Sequence, residues 1–192
     1  MNDFLFYLKL GWEHIISWDA LDHQLFVLVL IVAYSFNDFK KLLILITAFT
    51  VGHSITLALS VLDVYRLPSN WVEFLIPITI VITALDNILL KNQTKNLIRV
   101  NYYLALGFGL IHGLGFANIA RMSMAKEQSI AIPLLGFNIG LELGQIVVVI
   151  ILMILAFIFT NILRVTRKDW IMFISSGVFV LALKMALERI PI

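Results

Sequence analysis

The stretch Gly11 to Phe26, GWEHIISWDALDHQLF, places His14, Asp19, Asp22 and His23 at the start of an apolar run that continues to Phe36. Asp19 and His23 stand four apart, so a helix begun by Asp19 puts them on one face with Asp22 beside them. Neutral imidazoles next to carboxylates form either a divalent-metal ligand set or a proton relay. An ionisable group inside a membrane costs roughly 2.5–3.5 kcal/mol on insertion scales. A cluster of them therefore calls for a use.

The other two histidines lie deeper in apolar sequence. His53 sits in TAFTVGHSITLALS and His112 in GFGLIHGLGFA. Small or hydroxylic residues surround both, among them Gly52, Ser54 and Gly113. Small residues let helix backbones approach, and a hydroxyl such as that of Ser54 can orient an imidazole from behind. Asn138, Glu142 and Gln145 fall at helical spacing in GFNIGLELGQ and make one polar stripe on an apolar helix. Glu73 and Asp86 open and close another apolar stretch. The expectation is a metal site built from His14, Asp22, His23, His53, His112 and Glu142, with Asp19, Ser54, Glu73, Asp86, Asn138 and Gln145 supporting it or marking a path.

Each of these residues also has a plainer use. A single intramembrane histidine often only bonds a neighbouring helix, glycines in a span are often packing residues, and Glu73 could be merely interfacial. Three polar groups on one stripe are harder to leave facing lipid.

Composition says what must position these groups. The chain has 192 residues, 61% of them hydrophobic and 14% charged, and its mean hydropathy is +0.98. That is well above the roughly 45–50% apolar content of soluble domains. It reads as an all-α integral membrane protein in which residues 1–192 form one transmembrane domain, with the lipid bilayer as its constant partner. The net charge of +2 comes from basic loops, which argues against nucleic acid. With no cysteine, disulfides and thiolate ligands are excluded. The opening MNDFLFYLKL lacks a basic leader, so no cleaved signal peptide is expected.

A hydrocarbon core of about 30 Å needs about 20 apolar residues. On that measure the sequence predicts about six spans, near residues 20–36, 42–62, 71–90, 100–120, 133–161 and 170–187. A short interfacial or re-entrant helix over 3–16 precedes them, since Lys9 and Glu13 interrupt its apolar residues. Lys40, Lys41, Lys91, Lys95, Arg99, Arg164, Arg167 and Lys168 fall on one side, against Lys9, Arg66, Arg121, Lys126 and Arg189 on the other. The richer side is cytoplasmic by the positive-inside rule. Both termini are then expected outside, and all four histidines in the outer half.

Taken together, the patterns G-x-x-H-I (Gly11, His14, Ile15), D-H-x-x-F (Asp22, His23, Phe26), the run Thr47 to Leu57, V-E (Val72, Glu73), the run Phe108 to Ala117 and F-N-x-G-x-E-x-G-Q (Phe137 to Gln145) resemble the HupE/UreJ family over nearly the whole chain. Ala20 stands where that pattern would have Gly, and His14 lies eight positions before Asp22, a wider spacing than usual. The resemblance implies a small inner-membrane permease for nickel or cobalt, supplying hydrogenase or urease, with metalloenzyme-maturation proteins or a second copy of the chain as possible partners.

The residues themselves allow nickel, cobalt or zinc as the ion and do not separate them. Asp22 and His23, with His14, would capture it; His53, His112 and Glu142 would form a station further in; protons competing for the imidazoles, or a helix motion, would release it. Two other classes remain open. One is an intramembrane zinc-dependent hydrolase using Ser54, although no H-x-x-x-H pair lies on one helix. The other is a non-transporting accessory in which the Asn138 to Gln145 stripe is helix glue. No G-x-x-x-x-G-K loop is present, so this chain does not itself use ATP through one.

Overall fold

A computed structural model describes residues 3–65, 67–89, 97–124 and 130–191, leaving aside the side chains of residues 19, 97–100, 118, 119 and 124. The side chains of Asp19, Arg66, Lys91, Lys95, Arg99 and Lys126 therefore lie outside the description. Among the described residues every regular element is helical: α1 (Asp3–Ile16), α2 (Leu21–Ile31), α3 (Phe39–Val61), α4 (Ser69–Leu89), α5 (Leu97–Met124), α6 (Ala131–Phe157) and α7 (Arg167–Glu188).

The helices stop where the sequence removes the means to continue. Asn37 and Asp38 lie in a short turn before α3. Asp63 adopts a φ of 62° just after α3, a left-handed conformation that asparagine and aspartate tolerate better than most residues. The α6 helix relaxes into a π turn at Ile158–Ile162 and ends at Arg164, φ 57°. Thr166 then caps α7 by accepting the Asp169 backbone N–H.

Among the described residues, four helices are long and apolar enough to cross a membrane: α3, α4, α6 with its π turn, and α7. A fifth crossing is obtained if α1 and α2, bent by 68° across residues 17–20, count as one broken span or re-entrant loop. The count is near the six expected and not equal to it. The α5 helix, the expected fourth span, is 28 residues long, about 42 Å at 1.5 Å per residue.

The first helix does not lie apart on a surface. Positions 136, 140 and 144 of α6 are glycines, and a Cβ on each would strike successive turns of α1: Phe4 O at 2.7 Å from Gly136, Leu8 O at 2.0 Å from Gly140, and Ile15 Cβ at 3.1 Å from Gly144. The numbers rise together, so α1 and α6 run side by side in the same direction, backbone against backbone. A second pair is built alike. A Cβ on Gly109 of α5 would meet Phe49 O of α3 at 2.1 Å, and one on Gly113 would meet His53 O at 2.5 Å. Glycines spaced by four are how membrane helices come this close. Lys9 and Glu13 face outward from α1, paired at 3.5 Å.

The buried centre is apolar, with Phe26, Phe49, Phe137, Leu42, Leu45 and Leu141 all at most 1% exposed. Of the buried polar side chains, His23, His53, His112, Thr50 and Gln145 gather between the two parallel pairs, while Ser60, Thr79, Thr83 and Ser175 lie further along α3, α4 and α7.

Candidate metal centre

The two glycine contacts set the histidines facing each other. His14 is on the last turn of α1, three residues after Gly11, which lies against Phe137 and Leu141 of α6. His53 lies on α3 where Gly113 of α5 presses on its carbonyl, and His112 is the residue before that glycine. His23 comes from the first turn of α2, beyond the break. Their rings pack at centroid distances of 4.7 Å for His14 and His23, 6.1 Å for His14 and His53, 6.5 Å for His23 and His53, and 4.7 Å for His23 and His112.

Each of His14, His23 and His53 brings one ring nitrogen to within 4.8 Å of the other two. His53 and His112 are at most 1% exposed and His23 is 5%. Six of the eight ring nitrogens are buried without a hydrogen-bond partner: His14 Nε2, His23 Nε2, and both nitrogens of His53 and of His112. Each such group costs about 1–3 kcal/mol. A stable domain has only about 5–15 kcal/mol in all, so this is an expensive arrangement unless it serves a ligand.

Asp22 stands behind His23. Its Oδ1 accepts from the His23 backbone N–H at 2.8 Å and lies 3.0 Å from His23 Nδ1. A proton on Nδ1 satisfies that bond and leaves the buried Nε2 with its lone pair free as a ligand, the support usual behind a metal-binding imidazole. The other carboxylate oxygen is 3.9 Å from Arg189 Nη1, at the end of α7. Asp22 is thus placed to orient and charge the site through His23.

Four phenyl rings enclose the imidazoles. Phe116 lies 4.3 Å from His14, Phe137 5.9 Å from His53, Phe49 5.3 Å and Phe26 5.7 Å from His112, centroid to centroid. On one side the wall opens into a cavity of about 350 Å³ bounded by His14, Asp22, His23 and His112, with Glu73 and Arg189 also lining it. Glu73 is exposed there.

Of the other expected site residues, Asn138 lies against the cluster and the rest fall elsewhere. Glu142 is not with the histidines: its Oε1 accepts the Thr47 hydroxyl at 2.7 Å. Three residues on, Gln145 Oε1 accepts the Thr50 hydroxyl at 3.2 Å. The stripe therefore joins α6 to α3, two hydroxyls to two acceptors at matching spacing. Asn138 donates to the Leu134 carbonyl at 2.8 Å, and its Oδ1 is unpaired and buried beside His53. Ser54 donates to the Thr50 carbonyl at 2.6 Å. Asp86, half-buried, is near the opposite end of α4 from Glu73. The Asp19 backbone lies in the break, its side chain outside the description.

Arg189 and the aromatic enclosure were not among the expected site residues. Nothing in the spacing of Arg189 ties it to Asp22, 167 positions earlier. The phenylalanines carried a signal of a kind, since Phe26, Phe116 and Phe137 each lie within five residues of a polar site residue.

A cluster of four histidines in an apolar helical bundle is compatible with several lineages, and no curated protein and no solved structure matches the chain. The family model described as HupE / UreJ protein matches residues 1–189, nearly end to end, and the chain belongs to that family.

Proposed function

We propose that the protein is a small membrane permease that binds a divalent transition-metal cation, nickel or cobalt, at His14, His23 and His53, and passes it across the bilayer. The observation that carries this reading is the meeting of three ring nitrogens within 4.8 Å in an apolar surround. First-row divalent ions hold imidazole nitrogen at about 2.0–2.1 Å, which sets ligands about 3–4 Å apart around the ion. At 4.8 Å or less, the three nitrogens stand close to that spacing. Three neutral ligands leave the coordination shell incomplete, so the cargo can acquire its next ligand before losing the last one.

The carboxylate of Asp22 supplies negative charge without entering the shell. His112, ring to ring with His23 at 4.7 Å, offers the next resting place. Entry is through the cavity edged by Glu73, on the external face of a bacterial inner membrane with both termini outside. Glu142 and Asp86 are not needed to hold the ion at this station. The donors suit nickel, cobalt and zinc alike, and the choice between nickel and cobalt rests on the family.

The hydrolase reading is weakened because the Ser54 hydroxyl is spent on its own helix. The accessory reading draws on the Thr47–Glu142 and Thr50–Gln145 bonds, which suit helix glue. Metal binding by the purified protein separates it from transport.

Isothermal titration of nickel into the full-length protein in detergent should show saturable binding. His23→Ala should abolish that binding, together with nickel accumulation in cells, at unchanged protein level. Binding equal to wild type in that variant would overturn the proposal.

A further inference from the structure

The far end of α2 from the histidines borders a second cavity, of about 460 Å³, walled by parts of residues 32–37, 153–161 and 165–170. It lies where α2 and α6 end and α3 and α7 begin. Its chemistry is the inverse of the histidine site.

The polar groups on its walls are chiefly donors. Arg167 is exposed, and its guanidinium donates to the Ala33 carbonyl; among the described residues it has no carboxylate partner. One carbonyl uses a single donor of the five that arginine carries. Trp170, only 8% exposed, stacks on Phe159 at 5.1 Å, and its indole N–H is buried without an acceptor. An indole nitrogen can only donate, so an acceptor must come from elsewhere. Asn161 takes the Thr160 hydroxyl on its Oδ1 at 2.8 Å, which leaves its amide N–H groups as donors.

The charge balance points the same way. Arg164 and Lys168 flank Arg167, and Lys40 and Lys41 begin α3. The acids nearby are already engaged, Asp38 by Lys41 at 2.6 Å and Asp169 by the Thr166 hydroxyl at 2.6 Å. Meanwhile Val32, Met153 and Phe157 make the remaining wall apolar. A ligand for this place is an anion rich in acceptor oxygens and attached to something greasy. The ends of membrane-crossing helices lie at the level of lipid headgroups, where basic pockets between helices take anionic lipids.

We infer that this cavity seats the phosphodiester of an anionic phospholipid, its oxygens on Arg167, Trp170 and Asn161 and its glycerol and first methylenes on Val32, Met153 and Phe157. The inference stands independently of the metal reading.

The test uses the full-length protein in detergent, titrated with phosphatidylglycerol, phosphatidylcholine or inorganic phosphate and followed by thermal unfolding and native mass spectrometry. Phosphatidylglycerol should give a retained lipid adduct and raise Tm by about 5–10 °C at a hundredfold excess over Kd. Phosphatidylcholine should do little. Arg167→Gln should lose most of the rise, and Trp170→Phe, which keeps the stacked ring and deletes the N–H, should lose part of it. Each variant is compared with its own lipid-free Tm, so general destabilisation does not imitate the result. Equal shifts from the two lipids, an equal shift from inorganic phosphate, or a full shift in both variants would each overturn the assignment.

Discussion

The two cavities lie at opposite ends of an eleven-residue helix, α2, and differ in what their buried polar atoms lack. At the N-terminal end the unpaired atoms are ring nitrogens of His14, His23, His53 and His112; at the C-terminal end the unpaired atom is the indole N–H of Trp170. Neutral imidazole presents a lone pair that a cation can take, whereas indole presents only a hydrogen. The nearby charge agrees in each case: Asp22 behind the histidines, Arg167 beside the indole. Each neutral histidine offers a lone pair beside one N–H, and it is the lone pair together with the Asp22 charge that favours a cation there, whereas the indole end offers chiefly donors.

The comparison can be broken at its common support. Gly140→Val puts a side chain where even a Cβ lies 2.0 Å from the Leu8 carbonyl, and backbone cannot yield as a flexible side chain does. A loss of about 3 kcal/mol or more is expected, read as a lowered Tm with nickel binding and lipid response both lost. His23→Ala should then dissociate the two, ending metal binding while the phosphatidylglycerol shift persists.

A smaller change sharpens the contrast. Asp22→Asn keeps an acceptor near His23 and deletes the charge, so nickel affinity should fall about 10- to 100-fold by titration, with the lipid shift unaltered. The smallest effect is expected between the cavities. Thr50→Val removes the hydroxyl held by Gln145 and should cost about 1 kcal/mol or less in thermal unfolding, with both ligands still bound. A large loss of nickel affinity there would mean that the α3 to α6 stripe belongs to the metal site after all.

Much of the fold is legible in the sequence because punctuation is local. Asn37, Asp38 and Pro68 mark helix limits by their own chemistry, and the positions of the four histidines in successive apolar runs set them in the same half of the membrane on the sequence reading. The placement of α1 is not legible in the same way. Lys9 and Glu13 give it the composition of a surface helix, yet they form its outward edge, and its docking depends on Gly11 meeting the Phe137 and Leu141 backbone, and on Gly136, Gly140 and Gly144 meeting α1, more than a hundred residues later. For the same reason the expected inner station of His53, His112 and Glu142 differs from the trio that forms, in which His14 and His23 join His53 in place of His112 and Glu142. Depth ranks residues along the membrane normal and is silent on which way they face around a helix axis. Nor could spacing assign Asp22 its supporting position, since adjacent residues look alike as ligands until their side-chain directions are known.

The 68° bend between α1 and α2 leaves His14 on one arm and His23 on the other. On the permease proposal, a metal ion gripped by both would work like a rivet through a joint, fastening the arms while it stays and freeing them when it goes. On that proposal the element that recognises the passenger would also be the part that its departure sets in motion.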